Sequence, residues 1–235
     1  MATLLSAIET QVRRHLNETT AAFWTSAELI DIMNRGIKDL WRDIVDLKQE
    51  HFLTVDNTNV SLAADTATLT GVPAGVHKVY LIEPRDVTTS SANYGLIFSP
   101  LDYNHESFRL ARSLADIDPK NATIYYAITG QGSPVAAPDI RVAPQVTSAV
   151  NISLVYVPVQ ADLTSSGNVP IPGEADNALI AWTVAFARAK EREDRAPDAG
   201  WLAIYATEKQ HLLQSLGLRQ LQENTFAEAI WETYW

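Results

Sequence analysis

The sequence predicts an α+β fold: a helical bundle built from the N- and C-terminal helices, with an antiparallel β-sandwich or barrel inserted between them. Three observations carry this. Apolar residues recur every three or four positions at both ends of the chain, the helical period. Between residues 51 and 165 the period drops to two, and polar turns punctuate it. The stretch Val169-Pro-Ile-Pro172 then leads back to helix, because its prolines favour an extended path.

The first helix is expected over about Thr3 to Leu16, where Leu4, Leu5, Ile8, Val12 and Leu16 form one stripe. The second opens with a capping box, Thr25 to Glu28, with Phe23 or Trp24 as a hydrophobic staple. It runs to about Glu50 on the stripe Leu29, Met33, Ile37, Leu40, Ile44, Leu47, which needs a partner helix to cover it. Short strands are expected at Asn57–Leu62 and Thr66–Leu69, and a stronger one at Val76–Ile82. Another is expected at Tyr94–Phe98, and Ser99-Pro-Leu-Asp102 would cap a short helix from Tyr103 to Leu114. Three strands follow, at Thr123–Thr129, Asp139–Ala143 and Ala149–Val157. In the last, Val150, Ile152, Leu154 and Tyr156 face one way. Sequential strands joined by short turns indicate antiparallel sheets. A third long helix is expected from Asp176 to Asp194. Pro197 opens a fourth, which ends near Leu216 with Gly217 as its C-cap. The domain plan is therefore residues 1–50 and 166–217 as two parts of a helical domain. Residues 51–165 form a β domain with one short helix, and residues 218–235 a C-terminal docking tail.

Composition sets the bounds. A chain of 235 residues, 46% hydrophobic and 20% charged, can bury a sizeable core and should fold. It has no cysteine, so disulfides and thiolate metal sites are excluded. The N-terminus lacks a basic region and reaches an acid at Glu9, a poor signal peptide. No apolar run approaches the ~20 residues that span a bilayer, and folding in a reducing cytoplasm is expected. The net charge of -10 is spread evenly and no segment is basic, which argues against tight phosphate binding.

Chemistry-bearing motifs are scarce, and no catalytic residue, cofactor or metal is expected. His15, His51, His77, His105 and His211 form no metal-ligand pair and read as surface or packing residues. Gly130-Gln-Gly132 lacks phosphate-loop spacing, and no Gly-x-Ser-x-Gly elbow occurs. A carboxylate pair for glycoside cleavage stays open, since such pairs are defined in space. The run Arg188 to Arg195 reads as a solvated helix end, with Lys190–Asp194 and Glu191–Arg195 pairs at i,i+4. Ala178, Ala181, Ala185 and Ala189 make a small-residue seam that suits a close helix contact, either within the subunit or between subunits. Phe226, Ile230, Trp231, Tyr234 and Trp235 crowd the last ten positions with bulky apolar residues. Termini are usually polar and aromatics are enriched at interface hot spots, so these five are expected to dock on another chain.

The order of landmarks resembles the head-to-tail adaptor (connector) proteins of tailed bacteriophages, podophage-like in type. The landmarks are Tyr126-Ala-Ile-Thr-Gly130, Ile140-Arg-Val-Ala-Pro144, Ile152-Ser-Leu-Val-Tyr156, Leu163-Thr164, Val169-Pro-Ile-Pro172, Ala181-Trp182, an Asp/Glu/Arg run and Trp201-x3-Tyr205. Trp24-Thr-Ser-Ala-Glu-Leu-Ile and Asn34-Arg-Gly-Ile-Lys-Asp-Leu-Trp41 look like that family's second helix. The resemblance implies a ring, commonly of twelve copies, between the portal and the tail's nozzle or tube proteins. DNA would pass through unbound, and no membrane would be involved. It also implies a C-terminal segment that reaches along the portal, although the aromatic ending departs from the usual pattern. The protein would assemble in the host cytoplasm and reside in the virion neck or tail. Two other classes stay open from the residues alone: a tail-associated cell-wall or glycan hydrolase, and a monomeric binding module using the β domain.

Overall fold

The computed structural model describes residues 3–18, 23–85, 88, 90–91, 93–130, 136–164, 167–192 and 196–232, with side chains described as far as 217. The fold is α+β, with five α-helices and two sheets among the described residues. Chain contacts divide it into two compact units, residues 1–51 with 160–235, and residues 52–159.

The first unit is helical. α1 (Leu5–His15) buries Leu5, Ile8 and Val12, as the apolar spacing requires. α2 (Ser26–Lys48) begins with the complete capping box: the Thr25 side chain accepts from Glu28 N–H, and the Glu28 carboxylate accepts from Thr25 N–H. Trp24 is the buried member of the staple pair, while Phe23 stays exposed. Thr25→Ala should therefore cost about 1 kcal/mol, read as a lower urea midpoint at unchanged slope. α4 (Asp176–Glu191) touches α1, α2 and α5 (Ala199–Glu232). Being surrounded explains its composition: Ala178, Leu179, Ala181, Val184, Ala185, Ala187 and Ala189 are buried, and a helix that is apolar all round belongs in a core.

α5 corrects the expected helix end. It passes through Gly217 and continues to Glu232, so Gly217 is not a C-cap. One helical glycine costs only about 1 kcal/mol relative to alanine. The following Leu218-Arg-Gln-Leu-Gln-Glu223 is a run of good helix formers with no proline. The start of α5 is fixed by Asp198, whose carboxylate accepts from the N–H groups of Gly200 and Trp201.

The second unit holds both sheets. In one, β7 (Val150–Pro158) pairs antiparallel with β1 (Thr54–Asp56) and β2 (Ser61–Leu62), and with β3 (Val76–Pro84). β3 carries two register shifts, which break its alternation and leave Tyr80 and Leu81 both exposed. In the other, β5 (Thr123–Ile128) lies between β4 (Ile97–Pro100) and β6 (Ile140–Ala143). β4 runs parallel to β5, contrary to the expected all-antiparallel arrangement. The connection between them contains α3 (Glu106–Ala111) and is long enough for the crossover that parallel strands need. Neither sheet closes into a barrel. Leu62, Ile82, Phe98, Ile124, Val142 and Ile152, drawn from both sheets, meet in one apolar cluster. Thr66–Leu69 is not a strand and contributes only an isolated bridge from Thr68 to Arg141. Ser99 and Pro100 finish β4, so the cap of α3 shifts to His105, whose Nδ1 accepts from Ser107 N–H at 3.2 Å.

Candidate functional site

In the helical unit the charged chemistry is spent on holding helices together. Asp39 and Asp43 sit one turn apart on α2, and Tyr205 and Lys209 one turn apart on α5. Lys209 Nζ donates to Asp39 at 2.7 Å and pairs with Asp43 at 2.5 Å. The Tyr205 hydroxyl donates to Asp39 at 2.5 Å. The sequence carries this signal as two complementary i,i+4 pairs on different helices, which the apolar stripes overshadow. Arg13 is buried as well. It forks onto Glu9, donates to the Trp24 carbonyl and reaches the Ser26 hydroxyl, tying α1 to the start of α2.

Burial by itself would raise the Asp39 pKa, but the hydrogen bonds from Lys209 and Tyr205 outweigh it and hold the carboxyl below its ordinary value. Burial would lower Lys209, yet its two carboxylate partners hold it above the usual lysine range. Burial, followed by the bond to Asp39, pushes the Tyr205 phenol well up. A depressed carboxylate stabilises the fold above its unfolded pKa, and that contribution is lost as pH falls through the folded value. The two raised groups stabilise below their unfolded values and lose this as pH rises through the folded ones. Stability should thus form a plateau at intermediate pH. Asp39→Asn should flatten its acid limb, read from urea midpoints between about pH 2 and 5.

The charged run after Ala187 is not simply solvated. Lys190 donates to Glu28 at 2.7 Å and lies over the rings of Phe23 and Trp24, at 4.9 and 4.8 Å. The Lys190 bond and the Thr25 cap together hold Glu28 down to about 2. Arg192 pairs with Asp198, and Arg188 donates to the His15 carbonyl. The partners expected at Asp194 and Arg195 lie outside the described residues. The alanine seam Ala178, Ala181, Ala185, Ala189 is buried inside the helical unit. Of the aromatic tail, Phe226, Ile230 and Trp231 fall on the backbone of α5, with their side chains outside the described set. Tyr234 and Trp235 lie outside the described residues. No group of metal-ligating side chains occurs among the described residues. No described helix is long and apolar enough to cross a membrane.

A family model described as SU10 adaptor protein matches residues 2–227. The chain belongs to the SU10 adaptor family. The match spans both units and most of α5, so it covers the architecture as a whole. The family gives the protein a structural role as a phage adaptor, in association with other virion proteins. No curated protein matches the chain.

Proposed function

We propose that this SU10-family adaptor is the subunit of a ring, of twelve copies as the resemblance implies, that joins the portal to the tail. In this reading the helices of the first unit supply the two different faces a cyclic ring needs. The second unit, a two-sheet sandwich, is a platform for nozzle or tube proteins. DNA passes through without specific binding. The observation that carries the reading is α5. It runs unbroken from Ala199 to Glu232. At about 1.5 Å per residue its 34 residues span about 51 Å. Phe226, Ile230 and Tyr234 recur at intervals of four, with Trp231 and Trp235 beside them, and these five residues are the proposed portal or neighbour contact.

Light scattering on the purified protein, alone and mixed with its portal, tests this. The expected masses are one chain, 25.9 kDa, alone and a large complex with portal. The acidic surface opposes self-association, and the portal acts as template. A stable ring without portal would refute templating, and no association at all would refute docking. The same preparation should bind duplex DNA negligibly at physiological salt, because the net charge is -10 and no segment is basic. Micromolar, salt-sensitive binding in a filter assay would argue against an unreactive conduit wall.

A further inference from the structure

We propose that a cleft at the carboxyl ends of β4 and β5 is a saccharide subsite, taking one neutral hexose-type ring of a glycan. It lies in the second unit and stands apart from ring assembly. Its volume of about 460 Å3 is within the range of small-molecule sites. Its position, past the ends of a parallel strand pair joined by a helical crossover, is where open parallel sheets gather ligands.

Four residues that line the cleft supply the chemistry. Tyr103 offers a flat ring that is 38% exposed. Arg112 holds it in place, donating to its hydroxyl at 2.9 Å with the guanidinium 5.1 Å from the ring centre. A ring fixed beforehand loses little freedom on binding, and its electron-rich face attracts the C–H face of a pyranose. Asp102 presents an exposed carboxylate as acceptor. His105 accepts from Ser107 through Nδ1, which places the proton of the neutral ring on Nε2 as a donor.

Tyr126 is the telling member. It is only 6% exposed, and its hydroxyl makes no hydrogen bond among the described residues. Burial is the one cause that pushes its phenol pKa up. The oxygen itself is reached by solvent in the cleft, so it is free to donate to and accept from a ligand. A sugar hydroxyl, donor and acceptor at once, would satisfy it. The charge pattern selects a neutral ligand. Arg112 is already engaged with Tyr103, and the Asp102 carboxylate repels anions. Strand addition by a peptide is disfavoured, since Pro100 removes a donor from the short β4 edge.

The test is a nitrogen-15 NMR titration of the full chain with glucose, galactose and N-acetylglucosamine in turn. Saturable shifts are expected for at least one sugar, centred on Tyr103, His105 and Tyr126, with a millimolar dissociation constant. Tyr103→Ala and Tyr126→Phe should each weaken it tenfold or more, and the second removes a single oxygen, so the fold is kept. No saturable shift with any of the three sugars would overturn the proposal, as would undiminished binding in both variants. A tail protein that docks in a Tyr103-dependent manner while the sugars stay silent would overturn it in favour of a protein contact.

Discussion

Gly36→Leu is expected to destabilise the helical unit by at least about 3 kcal/mol, and Gly36→Ala by about 1–2 kcal/mol net. Gly36 is buried in α2, where α4 crosses it. A Cβ at this position would stand 2.6 Å from Trp182 Cδ1 and 3.0 Å from Leu179 Cδ1. Helix propensity works the other way, since replacing a helical glycine by alanine gains about 1 kcal/mol. The sign is decided by whether the indole can give, and three contacts restrain it. Trp182 Nε1 donates to the Ile32 carbonyl at 3.1 Å. Its ring packs on Phe186 at 4.5 Å and on Tyr205 at 5.0 Å. Tyr205 is in turn tethered to Asp39, so displacing the indole would disturb the α2–α5 charge network as well. Overpacking of this kind typically costs about 1–3 kcal/mol; with the indole held by three contacts the upper part of that range, about 2–3 kcal/mol, applies, and the propensity gain reduces it to about 1–2 kcal/mol net. Urea unfolding followed by tryptophan fluorescence measures it. An equally or more stable Gly36→Ala would show that the α2–α4 contact yields easily.

The same residues show what is legible from the sequence. Periodicity marks α1, α2 and α4, because a helix that buries one stripe must repeat its apolar residues. The capping box at Thr25 is a local code, and the structure contains both of its bonds. What sequence misses is decided at a distance. The direction of β4 follows from a crossover rather than from its own four residues. The β3 register shifts depend on pairing with β7. Gly217 carries the C-cap signal, yet the helix formers after it win. The Asp39–Lys209 network and the Tyr126 cleft need two elements brought together, and no window on one element contains them. The adaptor family itself was legible from the order of landmarks across the whole chain.

Deleting Phe226 to Trp235 is expected to leave the melting temperature nearly unchanged and to abolish stable portal docking. The expectation rests on the proposed role of the tail. A helical segment of the tail's length is marginal in water on its own, so little stability is at risk. Burial against a partner changes that balance. Each fully buried aromatic or isoleucine contributes roughly 1.5–3 kcal/mol from area, before ordering costs are subtracted. Five such residues exceed what ordering one helical segment consumes. Repetition around a ring then multiplies the effect, because each docked subunit raises the effective concentration of the next contact. Docking measured by sedimentation with portal should fall from complete to undetectable, while calorimetry of the truncated monomer shows one transition at nearly the parent temperature. If instead the truncated monomer loses several degrees and still docks, the tail packs on its own subunit, and the portal contact must lie on the faces of α1 to α5 upstream of residue 226.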